Sequence, residues 1–219
     1  MIGNLVLHDP SAYPSIDISD ADVVLFGVPR SATALTFQLL QSLFPFGGTI
    51  YTHSFIYPRP SVWCIGTYRD FRACTVSYWR YTTQPANHSK MSESQVRRFA
   101  GRILEFISAL TYYKNRCNPT WIPYESHMGN PGLILDMISS EYTRRTGQLI
   151  RPSFRRRAEA YLSKASQQGL FSSNQLPLFR PNHIMDGSTD GWKHWLSPSM
   201  LQLLTDILAE PLTEWGYSL

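Results

Sequence analysis

The sequence is poor in cysteine, with Cys64, Cys74 and Cys117 as its three. An odd number, with no CxxC pair and no Cys/His cluster, argues against a disulfide framework and against structural zinc, and suggests a reducing compartment. Cys64 lies in an apolar run and reads as a small buried hydrophobe. Long apolar runs are missing as well. No stretch approaches the roughly 18 uninterrupted apolar residues that a membrane-spanning helix requires. The opening residues MIGNLVLHDPSAYPSID lack a basic segment ahead of an apolar one, so they do not read as a signal peptide. A cytoplasmic protein without a membrane partner is the expectation. No internal repeat, low-complexity tract or clear boundary divides the chain, which predicts one domain over residues 1–219. Charge of one sign is scarce too: 20 Lys and Arg against 16 Asp and Glu leave a net charge of +4. That suits a small anionic ligand and is too mild to argue for nucleic acid.

What the chain does have is an alternation of apolar runs and helical periodicities. Residues 23–43 read VVLFGVPRSATALTFQLLQSL. An apolar run over 23–28 stops at Pro29, a short polar stretch follows, and helical spacing takes over across 31–43. Further strands are predicted at 49–53, 62–68 and 120–124, and helices at 72–80, 92–116, 131–146, 153–168 and 199–209. Ser92 and Gln95 form a capping-box pattern, and Gly147 stands where a helix C-terminus wants glycine. Strands alternating with helices predict an α/β fold, a parallel sheet of about four to five strands flanked by helices on both faces. Ligands of such sheets sit at the carboxyl ends of the strands.

Three polar features leave three strand ends: GVPRSAT at 27–33, YTHSF at 51–55 and YRDFRACTVSYWR at 68–80. A strand, a tight turn and a helix aim backbone N–H groups and a helix dipole at one point, where anions bind. The first feature is not GxxxxGK(S/T), so it is not the usual nucleoside-triphosphate loop. The series resembles the sulfotransferases that use 3′-phosphoadenosine 5′-phosphosulfate (PAPS). In that family a loop like PKSGTT grips the 5′-phosphosulfate, a strand ends in a segment like KTHLP with a catalytic His, and a segment like RNPKDVxVSYY holds the 3′-phosphate. Pro29 to Thr33, His53, and Arg69 with Ser77 fall on those places in the same order. Fainter likenesses are IPYE at 122–125 to a YYED-type segment and DGSTDGWKHW at 186–195 to RKGxxGDWKNHF. The matches span residues 23 to 195.

The resemblance implies a P-loop-like sulfotransferase architecture and a role for each residue. Arg30, Ser31, Ala32, Thr33 and Ala34 would bind the phosphosulfate, through backbone N–H groups and the Ser31 and Thr33 hydroxyls. Arg30 would also stabilise the charge left on the bridging oxygen. His53 would be the general base, since an imidazole is suited to taking a proton near neutral pH. Arg69, with its planar fork of donors, and Ser77 would hold the 3′-phosphate. Tyr124 and Lys193 would complete the cofactor site. The co-substrate would be PAPS, leaving as adenosine 3′,5′-bisphosphate, and the partner a small acceptor with a hydroxyl or amine. No metal is expected. Self-association stays open.

The chain also departs from the family pattern. Arg30 replaces a lysine, and Ala32, Ala34 and Leu35 replace the Gly, second Thr and Trp of PKSGTTW. Trp121 and Tyr124 are the candidates to stack on adenine instead. Tyr51 stands where KTH places its lysine, and Met185 and Asp186 stand where RKG has its basic pair. Arg155, Arg156 and Arg157 read as a solvated helix face, with binding to an acidic partner as the alternative. His8, His88, His127, His183 and His194 have no metal-site spacing. Two other functions remain open: a nucleotide kinase-like phosphotransferase, which needs a loop lysine and a Mg²⁺-holding acid for which Asp70 is the nearby candidate, and a non-catalytic nucleotide-binding or interaction protein.

Overall fold

The structure, a computed structural model, describes residues 22–44, 48–53, 61–84, 89–127, 130–167 and 189–219. The expected surface arm at 1–20, the turn at 57–60, the loop at 174–188 with Met185 and Asp186, and His8, His88 and His183 lie outside the described residues.

Four strands form one parallel sheet in the order β2-β1-β3-β4: β1 is Val23–Gly27, β2 Thr49–Thr52, β3 Trp63–Tyr68 and β4 Thr120–Pro123. Val23 lies opposite Thr49 on one side and Trp63 on the other, and Tyr68 opposite Pro123. Every residue of β1 is buried, as a central strand covered on both faces demands. Its side chains alternate between two cores. Val24, Phe26 and Val28 enter one with α2 (Phe71–Thr83) and α3 (Glu93–Cys117). Val23 and Leu25 enter the other with α1 (Thr33–Leu43), α5 (Gly132–Thr146) and α6 (Pro152–Gln167). The short helix α4 (Tyr124–His127) follows β4, and a 3₁₀ turn (Gly191–Trp195), α7 (Pro198–Ile207) and α8 (Ala209–Glu214) close the first core.

This layering follows from connectivity. The segment with α1 joins β1 to β2 on one side, while α2 and α3 join β3 to β4 on the other. Crossovers of a single hand running in opposite directions place their helices on opposite faces. The neighbours β1 and β3 therefore send the chain opposite ways from their carboxyl ends, which opens a crevice between them.

The helices obey local rules. Ser92 Oγ accepts from the Gln95 N–H and the Gln95 side chain accepts from the Ser92 N–H, so the capping box is complete. Gly147 ends α5 at φ 69°. The arginines of α5 and α6 brace the fold. Arg157 donates to the carbonyls of Gln41 and Ser42 at the end of α1, Arg155 pairs with Asp136 and Glu159, and Arg144 and Arg145 share Glu141. The first helix starts at Thr33, two residues later than its periodicity suggests, because Ser31 and Ala32 belong to the turn before it. The predicted last helix, 199–209, is α7, and a further short helix, α8, follows it around Pro211. Among the described residues no helix is long and apolar enough to cross a membrane.

Candidate functional site

The crevice is shaped by a close approach of β1 and β3. A Cβ on Gly27 would sit 2.2 Å from Thr67 Oγ1 and 2.6 Å from the Thr67 carbonyl oxygen, so only glycine lets the two strands meet here. The chain then turns sharply. Arg30 (φ 76°) and Ala32 (φ 65°) both adopt the left-handed conformation, which costs a non-glycine residue roughly 1–2 kcal/mol. Buried hydroxyls hold this strained turn in place. Ser31 Oγ donates to the Val28 carbonyl at 2.7 Å, and Thr67 Oγ1 lies 2.8 Å from Ser31 Oγ and 2.9 Å from Thr33 Oγ1. A single ordering satisfies all three: Thr33 donates to Thr67, Thr67 to Ser31 and Ser31 to the Val28 carbonyl. The Ser31 and Thr33 hydroxyls thus point into the sheet and pin the turn to β3. The Ser31 N–H is also engaged, donating to the Val28 carbonyl at 3.3 Å, so of the features expected to cradle an anion this leaves the backbone N–H groups of Ala32, Thr33 and Ala34.

Those amides begin α1, whose N-terminus has no side-chain cap and no acidic residue in its first turn. The first N–H groups of a helix have no acceptor within it, and they carry the positive end of the dipole. Ala34 itself is buried against the second core, so it offers the backbone alone.

Arg30 reaches from the turn to α2. Its Nε donates to Ser77 Oγ at 3.0 Å, and its guanidinium stands 5.1 Å from the centre of the Tyr81 ring. Burial lowers its pKa, Tyr81 pushes it back up, and the like charge of Arg69 lowers it further. An arginine so perturbed still carries its proton. Arg69, just past β3, is buried with its guanidinium 3.9 Å from the centre of the Tyr124 ring. Ser77 therefore meets Arg30, where the sequence placed it beside Arg69.

His53 follows β2. Its Nδ1 is 2.6 Å from the Gly27 carbonyl oxygen, and its Nε2 is 2.5 Å from the Tyr51 hydroxyl. A carbonyl only accepts, so Nδ1 carries the proton, and Nε2 of the neutral ring accepts from Tyr51. Burial lowers the His53 pKa, against which the bond to Gly27 acts in the opposite direction. Burial also pushes Tyr51 up to about 12, opposed by the positive charge of Arg30 and reinforced by Tyr81. The phenol and the guanidinium thus feel one another across the turn. The Phe106 ring, from α3, packs against the His53 ring in a T-shaped contact, 5.8 Å between centres.

The remaining expected residues divide. Tyr124 joins the group as the ring beneath Arg69. Glu125 serves as a brace: one carboxylate oxygen accepts the Asp70 N–H at 2.8 Å and the other the Tyr217 hydroxyl at 3.1 Å. Trp121 packs among Phe26, Tyr68 and Trp215. Lys193 pairs with Asp190 within its own 3₁₀ turn at 2.8 Å, with about half its side chain exposed. Tyr51, Thr67 and Tyr81 are the residues that sequence reasoning left without a positive role. Two signals were present: Tyr51 and His53 alternate onto one face of a strand, and Ser77 and Tyr81 lie one helical turn apart. Among the described residues no group of three His, Cys, Asp or Glu could hold a metal ion.

In comparisons with known proteins, no family model matches this chain and no curated protein sequence matches it.

Proposed function

We propose that the chain is a sulfotransferase of P-loop-like architecture, moving the sulfuryl group of PAPS to a hydroxyl or amine of a small acceptor and releasing adenosine 3′,5′-bisphosphate. The observation behind this reading is that Arg30, in the turn ahead of an uncapped helix N-terminus, feels the charge of Arg69 and acts on Tyr51, while His53 is bonded both to Tyr51 and to the Gly27 carbonyl at the end of β1. The like charge of Arg69 acts on Arg30, and the α1 amides are donors of the same sign, a combination that suits an anionic ligand.

In the proposed reaction the acceptor oxygen attacks sulfur as the bond from sulfur to the 5′-phosphate oxygen breaks. The electron pair stays on that oxygen, where the Arg30 guanidinium stabilises it. Arg69 holds the 3′-phosphate, its fork aligned by stacking on Tyr124. The proton of the acceptor ends on His53, which is neutral at rest. Such a transfer asks for alignment and charge stabilisation more than for covalent chemistry by the protein. A kinase is less well supported, because the Asp70 carboxylate caps α2 and pairs with Arg72 at 2.8 Å.

The test is to supply PAPS with a panel of small phenols, alcohols and amines and to follow the bisphosphate product. The native protein should turn over, and His53→Ala should lose about 10²–10⁴-fold. No product with any acceptor would overturn catalysis, and retained turnover in His53→Ala would remove the imidazole from the mechanism.

A further inference from the structure

Both nitrogens of His53 are already engaged within the protein. Nδ1 meets the Gly27 carbonyl and Nε2 meets the Tyr51 hydroxyl. An imidazole has no third nitrogen, so an acceptor must either displace Tyr51 or pass its proton through it. Displacement is disfavoured by the way Tyr51 is held. Its ring packs 5.6 Å from Phe37 and 5.0 Å from His53 between centres, on a strand paired along its length with β1. The phenol oxygen gives its single proton to Nε2, which leaves its lone pairs to receive another. The nearby positive charge of Arg30 favours electron density on that oxygen, while burial keeps the phenol protonated at rest.

We propose that Tyr51 is a catalytic residue that takes the proton of the acceptor while passing its own to His53 Nε2. This step belongs to the sulfuryl transfer proposed above and presupposes it. The acceptor O–H (or N–H) bond breaks and its proton moves to Tyr51 Oη. The Tyr51 O–H bond breaks and its proton moves to Nε2, so Tyr51 ends neutral and His53 ends as imidazolium. The acceptor oxygen or nitrogen forms its bond to sulfur, and the electron pair of the breaking S–O bond leaves on the 5′-phosphate of the bisphosphate. His53 then returns its proton to solvent. Tyr51 thus does proton-transfer work at the position where the resembled family has a lysine.

The test compares the native protein with Tyr51→Phe across acceptors of graded acidity, from an aliphatic alcohol through phenol to 4-nitrophenol, with calorimetric titration of adenosine 3′,5′-bisphosphate alongside. For the alcohol and phenol, turnover in Tyr51→Phe should fall about 100-fold, the scale of a lost proton-transfer group. For 4-nitrophenol, which ionises without help, the loss should shrink to within about threefold. Affinity for the bisphosphate should stay as in the native protein. Equal losses at every acceptor would overturn the relay in favour of a structural role. A faster Tyr51→Phe would overturn it too, showing that the phenol competes with the acceptor for His53. Either result leaves sulfuryl transfer standing. No product from the native protein with any acceptor overturns the transfer, and the relay with it.

Discussion

Helix α3 and the turn between β1 and α1 lie against the same sheet and are built by opposite rules. In α3 each local choice agrees with the fold. A reciprocal capping box starts it, Val96, Phe99, Ala100, Ile103, Ile107 and Leu110 bury one face, Arg97 pairs with Glu93 on the other, and Asn118 closes it in the left-handed conformation. The turn breaks local rules at almost every residue. Two non-glycine residues are left-handed, a helix begins without a cap, hydroxyls are spent on anchoring, and a guanidinium is drawn in from water. A segment selected for folding alone has no reason to accumulate such costs. Places where local preference and observed structure disagree are where function is expected.

That contrast can be broken experimentally. The largest effect on stability should come from Gly27→Ala, because its Cβ would land on Thr67 at the anchor of the turn. A loss of about 3 kcal/mol is expected from overpacking backbone against backbone, read as a lower urea midpoint at unchanged slope. A variant as stable as the native chain would show that the approach of β1 to β3 is not fixed.

The next effect is on pH dependence. His53 has a folded pKa below its unfolded value of 6.5, so the unfolded chain takes up the proton first as pH falls. Its contribution is therefore complete above the unfolded pKa and is lost on acidification through 6.5 towards the lower folded value. One such group gives a slope of at most about 1.4 kcal/mol per pH unit. Denaturant titrations from pH 7 to 5 should show this slope in the native protein and a flatter one in His53→Gln. Identical profiles would remove the buried neutral imidazole from the account.

The smallest effect falls on α3. Ser92→Ala should cost about 1 kcal/mol through loss of the cap, with turnover of the folded protein unchanged. A matching loss of turnover would mean that the two regions are less separable than they look.

The sequence made the elements legible where periodicity is strong and local chemistry decides. The α3 boundaries, the Gly147 stop and the parallel sheet all follow from neighbours in the chain. The candidate site was legible as a set of residues at strand ends, but less so as a set of contacts. Whether Ser31 faces a ligand or Thr67 depends on a partner 36 residues away, and Glu125 is occupied by Tyr217, 92 residues away. Ser77 binds Arg30 across 47 residues of chain, which local spacing cannot convey. Tyr51 read as the loss of a lysine, and its bond to His53 becomes visible once β2 fixes both side chains on one face.

The central claim is that Arg30 and Arg69 serve one adenosine ligand with an anionic group at each end of its ribose. Isothermal titration calorimetry with adenosine 3′,5′-bisphosphate tests it most directly, on the native protein and on Arg30→Ala, Arg69→Ala and Arg97→Ala. The account predicts binding by the native protein, a weakening of roughly ten- to a hundredfold in each of the first two variants, and native affinity in the α3 variant. No heat of binding in the native protein, or equal affinity in Arg69→Ala, would contradict it.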